Sequence, residues 1–190
     1  GFGFGLPLVV VEGQAYLSRS AAVKRVGNTL VKHYAMDTMD TPSGFLKRKY
    51  EPEPSIGTVV VSYTVGADDI HVMVDLSGLE AEWDRASLMN EQGARTFTRY
   101  HEPGLEVERD QFGKWQPTMA PRGCIVAGDD SVQFCVETEN EGLRYYGRER
   151  YNQYYWVGVY ALSWAGIDLE ISPPENRFEY LIRIEKPGSE

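Results

Sequence analysis

Apolar and polar residues alternate with a period of two along much of this chain. The alternation is clearest in residues 56–76, where apolar residues occupy every second position on both sides of a polar segment at residues 66–69. Because successive side chains of a β-strand point to opposite faces, this pattern predicts a hairpin with one buried face. The predicted core face contains Val59, Val61, Tyr63, Val65, Ile70, Val72, Val74 and Leu76.

A second alternating segment is strongly aromatic. Residues 143–164 hold eight of the 23 aromatic residues of the chain, together with three arginines. From residue 154 onward the alternation predicts a central strand whose large side chains form part of the core. The preceding half, residues 143–153, is charged and contains a glycine, which favours a loop. The predicted core side chains of the strand are Tyr154, Trp156, Tyr160 and Trp164.

The remaining segments complete an all-β pattern of about twelve strand candidates. Residues 37–44 are typical of a loop, residues 80–88 allow one or two helical turns, and residues 167–171 form a short strand after Gly166. No long helix is predicted. The pattern predicts one domain over residues 1–190, an antiparallel two-sheet sandwich of the jelly-roll type. A closed lipocalin-like barrel is the alternative.

Composition narrows the classes of partner. The chain of 190 residues carries a formal net charge of −9, and its longest basic cluster has three residues, at positions 47–49. A nucleic acid needs a clustered basic surface to neutralise its phosphates, so we expect no nucleic-acid partner. The longest apolar run, residues 6–11, is far shorter than the roughly 20 residues that span a bilayer, so no membrane span is expected.

The two cysteines flank a turn-forming segment at residues 128–131. If this segment is the loop of a hairpin, Cys124 lies directly opposite Cys135, within the range of a disulfide. A disulfide would indicate an oxidising, extracellular compartment. Two buried thiols are the alternative, and the compartment is then undetermined.

Sequence motifs identify no catalytic centre. A nucleophile elbow, a dinucleotide fingerprint, a Walker loop and a zinc-ligand spacing are all missing from the sequence, so we expect no cofactor and no metal site. Three weaker candidates remain. His101 beside Glu102 is the histidine to test first, Asp37 and Asp40 offer oxygen ligands to calcium, and residues 90–92 form a polar trio in an expected turn.

The aromatic and arginine-rich segment is the best candidate for a ligand site. Aromatic faces suit the C–H face of a sugar ring, and neighbouring polar side chains suit its hydroxyl groups. The predicted ligand-binding residues are Tyr145, Tyr146, Arg148, Tyr151, Asn152, Gln153 and Trp156.

Three functions follow from these features. The first is a non-catalytic sandwich module that binds a carbohydrate or a similar polar small molecule. The second is a structural subunit that self-assembles by exchange of its glycine-rich N-terminal segment, residues 1–11. The third is a barrel enzyme with a carboxylate or His101 in its pocket. Of these, the non-enzymatic module is our first prediction.

Overall fold

The protein is an antiparallel β-structure in a computed structural model that describes residues 3–18, 20–43, 47–93, 96–108, 111–112, 115–151 and 160–188. Seventeen strands lie in this described part of the chain. They are β1 Gly3–Val11, β2 Gln14–Leu17, β3 Ala21–Val26, β4 Thr29–Ala35, β5 Thr38–Ser43, β6 Lys47–Pro52, β7 Gly57–Val65, β8 Ile70–Leu79, β9 Arg85–Gly93, β10 Phe97–Glu102, β11 Leu105–Glu108, β12 Gln116–Pro117, β13 Arg122–Ala127, β14 Gln133–Glu137, β15 Leu143–Tyr151, β16 Tyr160–Ile171 and β17 Arg177–Glu185.

The strands form two sheets that are not closed into a barrel. The eight-stranded sheet has the order β12-β15-β16-β9-β1-β2-β5-β6, and the nine-stranded sheet has the order β11-β10-β13-β14-β17-β8-β7-β4-β3. Each sheet therefore has two edge strands. The predicted two-sheet antiparallel sandwich is confirmed, and the closed barrel is not observed. The jelly-roll connectivity of the sandwich stays a prediction.

One core lies between the sheets. On the eight-stranded sheet it contains Leu88, Ile167 and Leu169, and on the nine-stranded sheet it contains residues such as Val72 and Ile125, all of them buried. Full burial of one such side chain stabilises the fold by about 1.5–3 kcal/mol. In each strand the residues between these core positions point away from the core. The two outer faces are therefore the surfaces on which a functional site can form.

The predicted hairpin at residues 56–76 is confirmed. Strands β7 and β8 pair antiparallel, with Val61 opposite Val74 and Tyr63 opposite Val72. Of the predicted core residues, Val65 beside the turn is exposed and Ile70 is half-buried. The others are buried, namely Val59, Val61, Tyr63, Val72, Val74 and Leu76.

The first strand is internal to its sheet. Strand β1 pairs with β9 on one side and with β2 on the other. Our self-assembly alternative has residues 1–11 exchange into the sheet of a neighbouring subunit. In this structure β1 pairs within its own sheet, with β9 and, at residues 9–11, with β2. Exchange of the segment stays a prediction.

Two segments that we did not predict as strands are strands. The expected loop at residues 37–44 contains β5, which pairs with β2 and β6. The expected helical turns at residues 80–88 run into β9, which pairs with β1 and β16. Pairing partners on both sides override a weak local pattern, because strand preference depends strongly on context.

The aromatic segment also differs from its prediction. The expected loop at residues 143–153 contains β15, and the expected short strand at residues 167–171 is the end of the longer strand β16. Gly166 does not interrupt β16. The predicted core positions Tyr154 and Trp156 lie outside the described residues, as do the side chains of Tyr160 and Trp164.

The cysteine hairpin has the predicted register. In strands β13 and β14, Val126 lies opposite Gln133 and Cys124 lies opposite Cys135. The two cysteines form a disulfide with their α-carbons 4.0 Å apart, and both are buried. The disulfide joins adjacent strands of the nine-stranded sheet. We considered a disulfide and two buried thiols, and the structure contains the disulfide.

We predict that the double substitution Cys124→Ser and Cys135→Ser lowers the free energy of unfolding by about 2–3 kcal/mol. Closing a short loop between cysteines 11 residues apart restricts the unfolded chain by roughly this amount. Urea denaturation followed by circular dichroism measures the change. The parent protein in reducing buffer is the control and should resemble the variant. Equal unfolding midpoints for the oxidised parent and the variant would contradict the prediction.

Candidate functional site

Charged and aromatic side chains cluster on the outer face of the eight-stranded sheet. In strands β15 and β16, Arg144 lies opposite Asp168 and Tyr146 lies opposite Gly166. Their neighbours along the strands, such as Leu143 and Ile167, belong to the core. Because side chains alternate between faces, Arg144, Tyr146 and Asp168 point away from the core, and so does Glu170.

Asp168 is a carboxylate that is almost completely buried, with an exposed fraction of 1%. Arg144 donates two hydrogen bonds to it, from Nε to Oδ1 at 2.9 Å and from Nη2 to Oδ2 at 2.7 Å. The indole Nε1 of Trp115 donates a third, to Oδ2 at 3.2 Å. A bidentate arginine–carboxylate pair is both strong and directional. The orientation of the Arg144 side chain is therefore well defined.

The same guanidinium group binds a second carboxylate. Arg144 Nη1 lies 2.8 Å from Glu170 Oε2, and Arg85 Nε lies 3.4 Å from the same oxygen. The Glu170 side chain is 29% exposed, so it reaches solvent where Asp168 does not. In this row of alternating charges, Glu170 is the carboxylate that a ligand can contact.

Trp115 covers the ion pair of Arg144 and Asp168. The Arg144 guanidinium carbon lies 5.6 Å from the centre of the Trp115 ring, within the range of a cation–π interaction. The ring centre of Trp115 is also 5.7 Å from that of the buried Tyr146. Trp115 is nevertheless 42% exposed. One part of the indole thus contacts the sheet while another part is available to a ligand.

Gly166 makes room for this arrangement. A β-carbon at Gly166 would lie 2.5 Å from the carbonyl oxygen of Asn90 and 2.9 Å from the hydroxyl oxygen of Tyr146. Both separations are too short for a real side chain. Only glycine at this position lets the Tyr146 ring lie against β16.

Burial and neighbouring charge shift the pKa values of Arg144 and Asp168 in opposite directions. Burial raises the pKa of Asp168 above its usual value, against the lowering effect of the hydrogen bonds from Arg144 and Trp115. Burial lowers the pKa of Arg144, but Asp168 and Glu170 outweigh this effect and raise it. The guanidinium group therefore stays charged. Asp168 depends on this cation, because its carboxylate is buried away from solvent.

The predicted ligand-binding residues lie on both faces of β15. Tyr145 is in the core, with its ring stacked on Tyr100 at a centroid distance of 3.8 Å, whereas Tyr146 lies beneath Trp115 on the outer face. Both rings are buried. The structure therefore brings Tyr146 into the cluster and separates Tyr145 from it.

The other members of the predicted set are less fully described. The backbone of Arg148 pairs with Trp164 and that of Tyr151 with Tyr160, so both belong to β15. The remaining three, Asn152, Gln153 and Trp156, lie outside the described residues. Ligand binding by the set stays a prediction.

The three histidines do not come together. His33, His71 and His101 lie in β4, β8 and β10 of the nine-stranded sheet, and no two of these strands are adjacent. His71 contacts Glu179 at 2.9 Å, and His101 is exposed. A site built from several histidines is therefore not formed.

The structure also describes members of the polar trio and one of the two expected calcium ligands, Asp37. Asn90 and Gln92 are buried within β9 instead of lying in an exposed turn, and the Asn90 side-chain oxygen accepts a hydrogen bond from the backbone of Gly5 at 3.1 Å. Asp37 accepts one from Thr38. Within the described ranges, no three histidine, cysteine, aspartate or glutamate side chains are placed to hold a metal ion.

The central residues of the cluster were missed as a site. Arg144, Asp168 and Glu170 each stand between apolar residues in strongly alternating segments, which marks an outer face that carries charge. That signal indicates a polar face but not the pairing of two strands. Trp115 is 53 residues from Asp168, and its contact depends on tertiary structure.

The described residues contain no helix with the length and apolar character needed to cross a membrane.

Comparison with solved structures identifies the same fold in proteins of very different sequence. A protein from Escherichia coli K12, provisionally identified as an aldose 1-epimerase, matches 96% of this chain and is itself covered to 81%, with 12% identity and a TM-score of 0.50. The 4-alpha-glucanotransferase of Thermococcus litoralis matches 97% of the chain, with 9% identity and a TM-score of 0.54, but the chain covers 27% of that protein. No protein-family model and no curated protein sequence matches the chain.

These likenesses correct our functional prediction. We predicted a non-catalytic module, with a strand-exchanging subunit and a barrel enzyme as alternatives. The chain instead has the open sandwich fold found in proteins that are described as carbohydrate-processing enzymes. A carbohydrate-related ligand remains consistent with this finding. The chain is thus similar in fold to enzymes whose names refer to sugars.

We predict that Arg144→Met destabilises the protein by about 3–5 kcal/mol at pH 8, because Asp168 is left as an unpaired buried charge. Without the guanidinium group, the pKa of Asp168 in the folded state rises further above its unfolded value. The folded variant then binds a proton that the unfolded chain does not, so its stability should increase as the pH falls from 8 to 5. Urea titrations at several pH values measure both effects.

The double substitution Arg144→Met and Asp168→Leu is the matched control. It removes both charges, so we expect it to recover much of the lost stability and to abolish the added pH dependence. A single variant as stable at pH 8 as at pH 5 would show that Asp168 does not depend on Arg144.

Proposed function

We propose that this chain is a catalytic domain that processes a carbohydrate at the outer face of the eight-stranded sheet. The observation that carries the proposal is the buried Asp168–Arg144 pair, which holds the accessible carboxylate Glu170 close to the exposed ring of Trp115. We call Trp115, Arg144, Tyr146, Asp168 and Glu170 the Asp168 site. The fold likeness to carbohydrate-processing enzymes supports the same class of substrate.

The exposed groups of the Asp168 site suit a sugar ring. The indole of Trp115 offers a flat apolar surface to the C–H face of a pyranose, and its edge nitrogen is already used by Asp168. Glu170 and Arg85 then lie to one side as an acceptor and a donor for hydroxyl groups. An aromatic platform beside charged hydrogen-bonding groups is a common design for small polar ligands.

The reaction that fits these groups is the interconversion of the two anomers of an aldose. Glu170 takes the proton of the anomeric hydroxyl, the bond between the anomeric carbon and the ring oxygen breaks, and the electron pair moves to that oxygen. Arg144 stabilises the negative charge that develops on the ring oxygen, and the protonated Glu170 gives its proton to that oxygen. Rotation about the bond from C1 to C2 and the reverse steps close the ring as the other anomer and return the proton.

Asp168 acts through Arg144. With 1% of its surface exposed, it does not touch the substrate, but its two hydrogen bonds fix the guanidinium plane relative to Glu170. It is therefore a positioning residue. Its burial also keeps water away from one side of Arg144, which strengthens the electrostatic effect of the cation on nearby charge.

We predict that Glu170→Gln lowers the enzymatic acceleration of anomer interconversion by about 10²–10⁴-fold, because a general base contributes roughly this factor. The glutamine keeps the size of the side chain and its ability to accept a hydrogen bond, so sugar binding should change much less than the rate. Polarimetry with freshly dissolved α-D-glucose and α-D-galactose measures the rate, and NMR titration measures binding.

Glu179→Gln is the matched control, since Glu179 is an exposed glutamate of the other sheet that pairs with His71. It should have the activity of the parent. A parent protein that accelerates anomer interconversion for none of a panel of common aldoses would refute the proposed reaction. An active Glu170→Gln variant would refute the role given to Glu170.

A further inference from the structure

The segment beside the Asp168 site presents apolar side chains to solvent. Residues 115–120, which we call the edge segment, contain the edge strand β12 of the eight-stranded sheet. Trp115, Pro117 and Met119 occupy alternate positions in it and are all exposed, with Met119 reaching 85%. One of these residues, Trp115, already belongs to the Asp168 site.

The backbone of the edge segment is held along β15. Gln116 lies opposite Tyr145 and Pro117 lies opposite Arg144, while the amide of Thr118 donates a hydrogen bond to the carbonyl oxygen of Leu143 at 3.0 Å. The pairing of Pro117 with Arg144 places the middle of the edge segment directly beside the site.

A buried carboxylate fixes the far end of the edge segment. Glu102 is 1% exposed and accepts hydrogen bonds from the backbone amide of Met119 at 3.0 and 3.1 Å and from that of Ala120 at 3.3 Å. The hydroxyl group of Tyr100 donates another at 2.9 Å. Burying a carboxylate is costly unless such donors compensate. Met119 therefore has an exposed side chain on a backbone that is tied to the interior.

Tyr100 connects this anchor to the strand that carries the site. Its ring stacks on Tyr145 with an interplanar angle of 11°, and Tyr145 lies between Arg144 and Tyr146 in β15. The edge segment and the Asp168 site thus share one rigid support. A ligand that contacts Met119 would meet a backbone that is hydrogen-bonded before binding, which lowers the entropic cost of association.

We propose that the edge segment is a second subsite, next to the Asp168 site, for the non-reacting rings of an oligosaccharide. The inference rests on the proposed function and adds the substrate class: a sugar chain whose reacting ring lies on Trp115 and whose next ring packs on Pro117 and Met119. Pro117 lies two residues and Met119 four residues beyond Trp115, with the edge strand between them. A ring that lies on Trp115 therefore leaves Pro117 and Met119 as the apolar contacts for the next ring.

The composition of the edge segment favours a sugar chain over a protein partner. Its three apolar side chains are separated by the polar residues Gln116 and Thr118, and Gln116 is exposed. This alternation suits a ligand that has C–H faces and hydroxyl groups in turn. A protein hot spot is instead a compact, fully desolvated patch surrounded by other contacts.

The test compares short and long sugars on the parent protein and on Met119→Ala. Isothermal titration calorimetry with D-glucose, maltotriose and cellotriose gives the ratio of the glucose Kd to the Kd of the tighter trisaccharide. We expect a ratio of about ten for the parent and a fall toward one for Met119→Ala, because the apolar contact of one exposed side chain is lost. Met73→Ala, at an exposed methionine of the other sheet, is the matched control and should keep the parent ratio.

Each outcome is decisive. A parent that binds glucose but binds neither trisaccharide more tightly overturns this inference and leaves the proposed function intact. An unchanged ratio in Met119→Ala overturns it as well. A parent that binds none of the three sugars overturns this inference, and the polarimetry with the panel of aldoses then decides the proposed function separately. Because Met119 is 85% exposed, the substitution should not affect folding, and an unchanged urea midpoint verifies this.

Discussion

The central strands of this protein contribute side chains to two surfaces, the core on one side and an outer face on the other. Alternation requires that a residue facing the core be followed by one facing outward, so the burial of Leu143, Ile167 and Leu169 determines where the intervening charged residues point. A shift of β15 or β16 by one residue would bring Arg144 and Asp168 into the core. The hydrophobic core and the charged outer cluster are therefore specified by the same register, and neither can form without the other.

The outer cluster places ionic interactions in a poorly hydrated environment. An exposed ion pair contributes little, because water competes for both partners. Trp115 and the sheet shield Asp168 from solvent, so its interaction with Arg144 is strong. Removal of Arg144 would leave a buried, unpaired charge, which is costly. Such an arrangement is costly if its only role is stability. It is useful where a fixed cation is needed beside a more accessible carboxylate.

The sequence predicted those parts of the fold whose partners are near in the chain. The hairpin of β7 and β8 and the pairing of Cys124 with Cys135 depend on short turns, so alternation and turn residues were sufficient. Residues 80–88 were misjudged because β9 pairs with β1 and β16, which are distant in the chain, and local preference does not reveal such partners. Residues 143–153 were misjudged because their charges and glycine favoured a loop, although β15 pairs with the next strand, β16. The site was harder still. Its members are joined by sequence separations of 24 and 53 residues, and no spacing rule connects them.

The short length of β12 has a consequence for solubility. A sheet edge with free amide and carbonyl groups is a template on which another chain can add a strand, and exposed apolar side chains increase that risk. Here the edge strand has two residues, one of which is Pro117, which has no amide hydrogen to donate. Apolar side chains can thus be displayed at this edge without offering a neighbouring molecule a continuous ladder of hydrogen bonds. The short edge strand therefore limits edge-to-edge aggregation beside the exposed side chains of Trp115 and Met119.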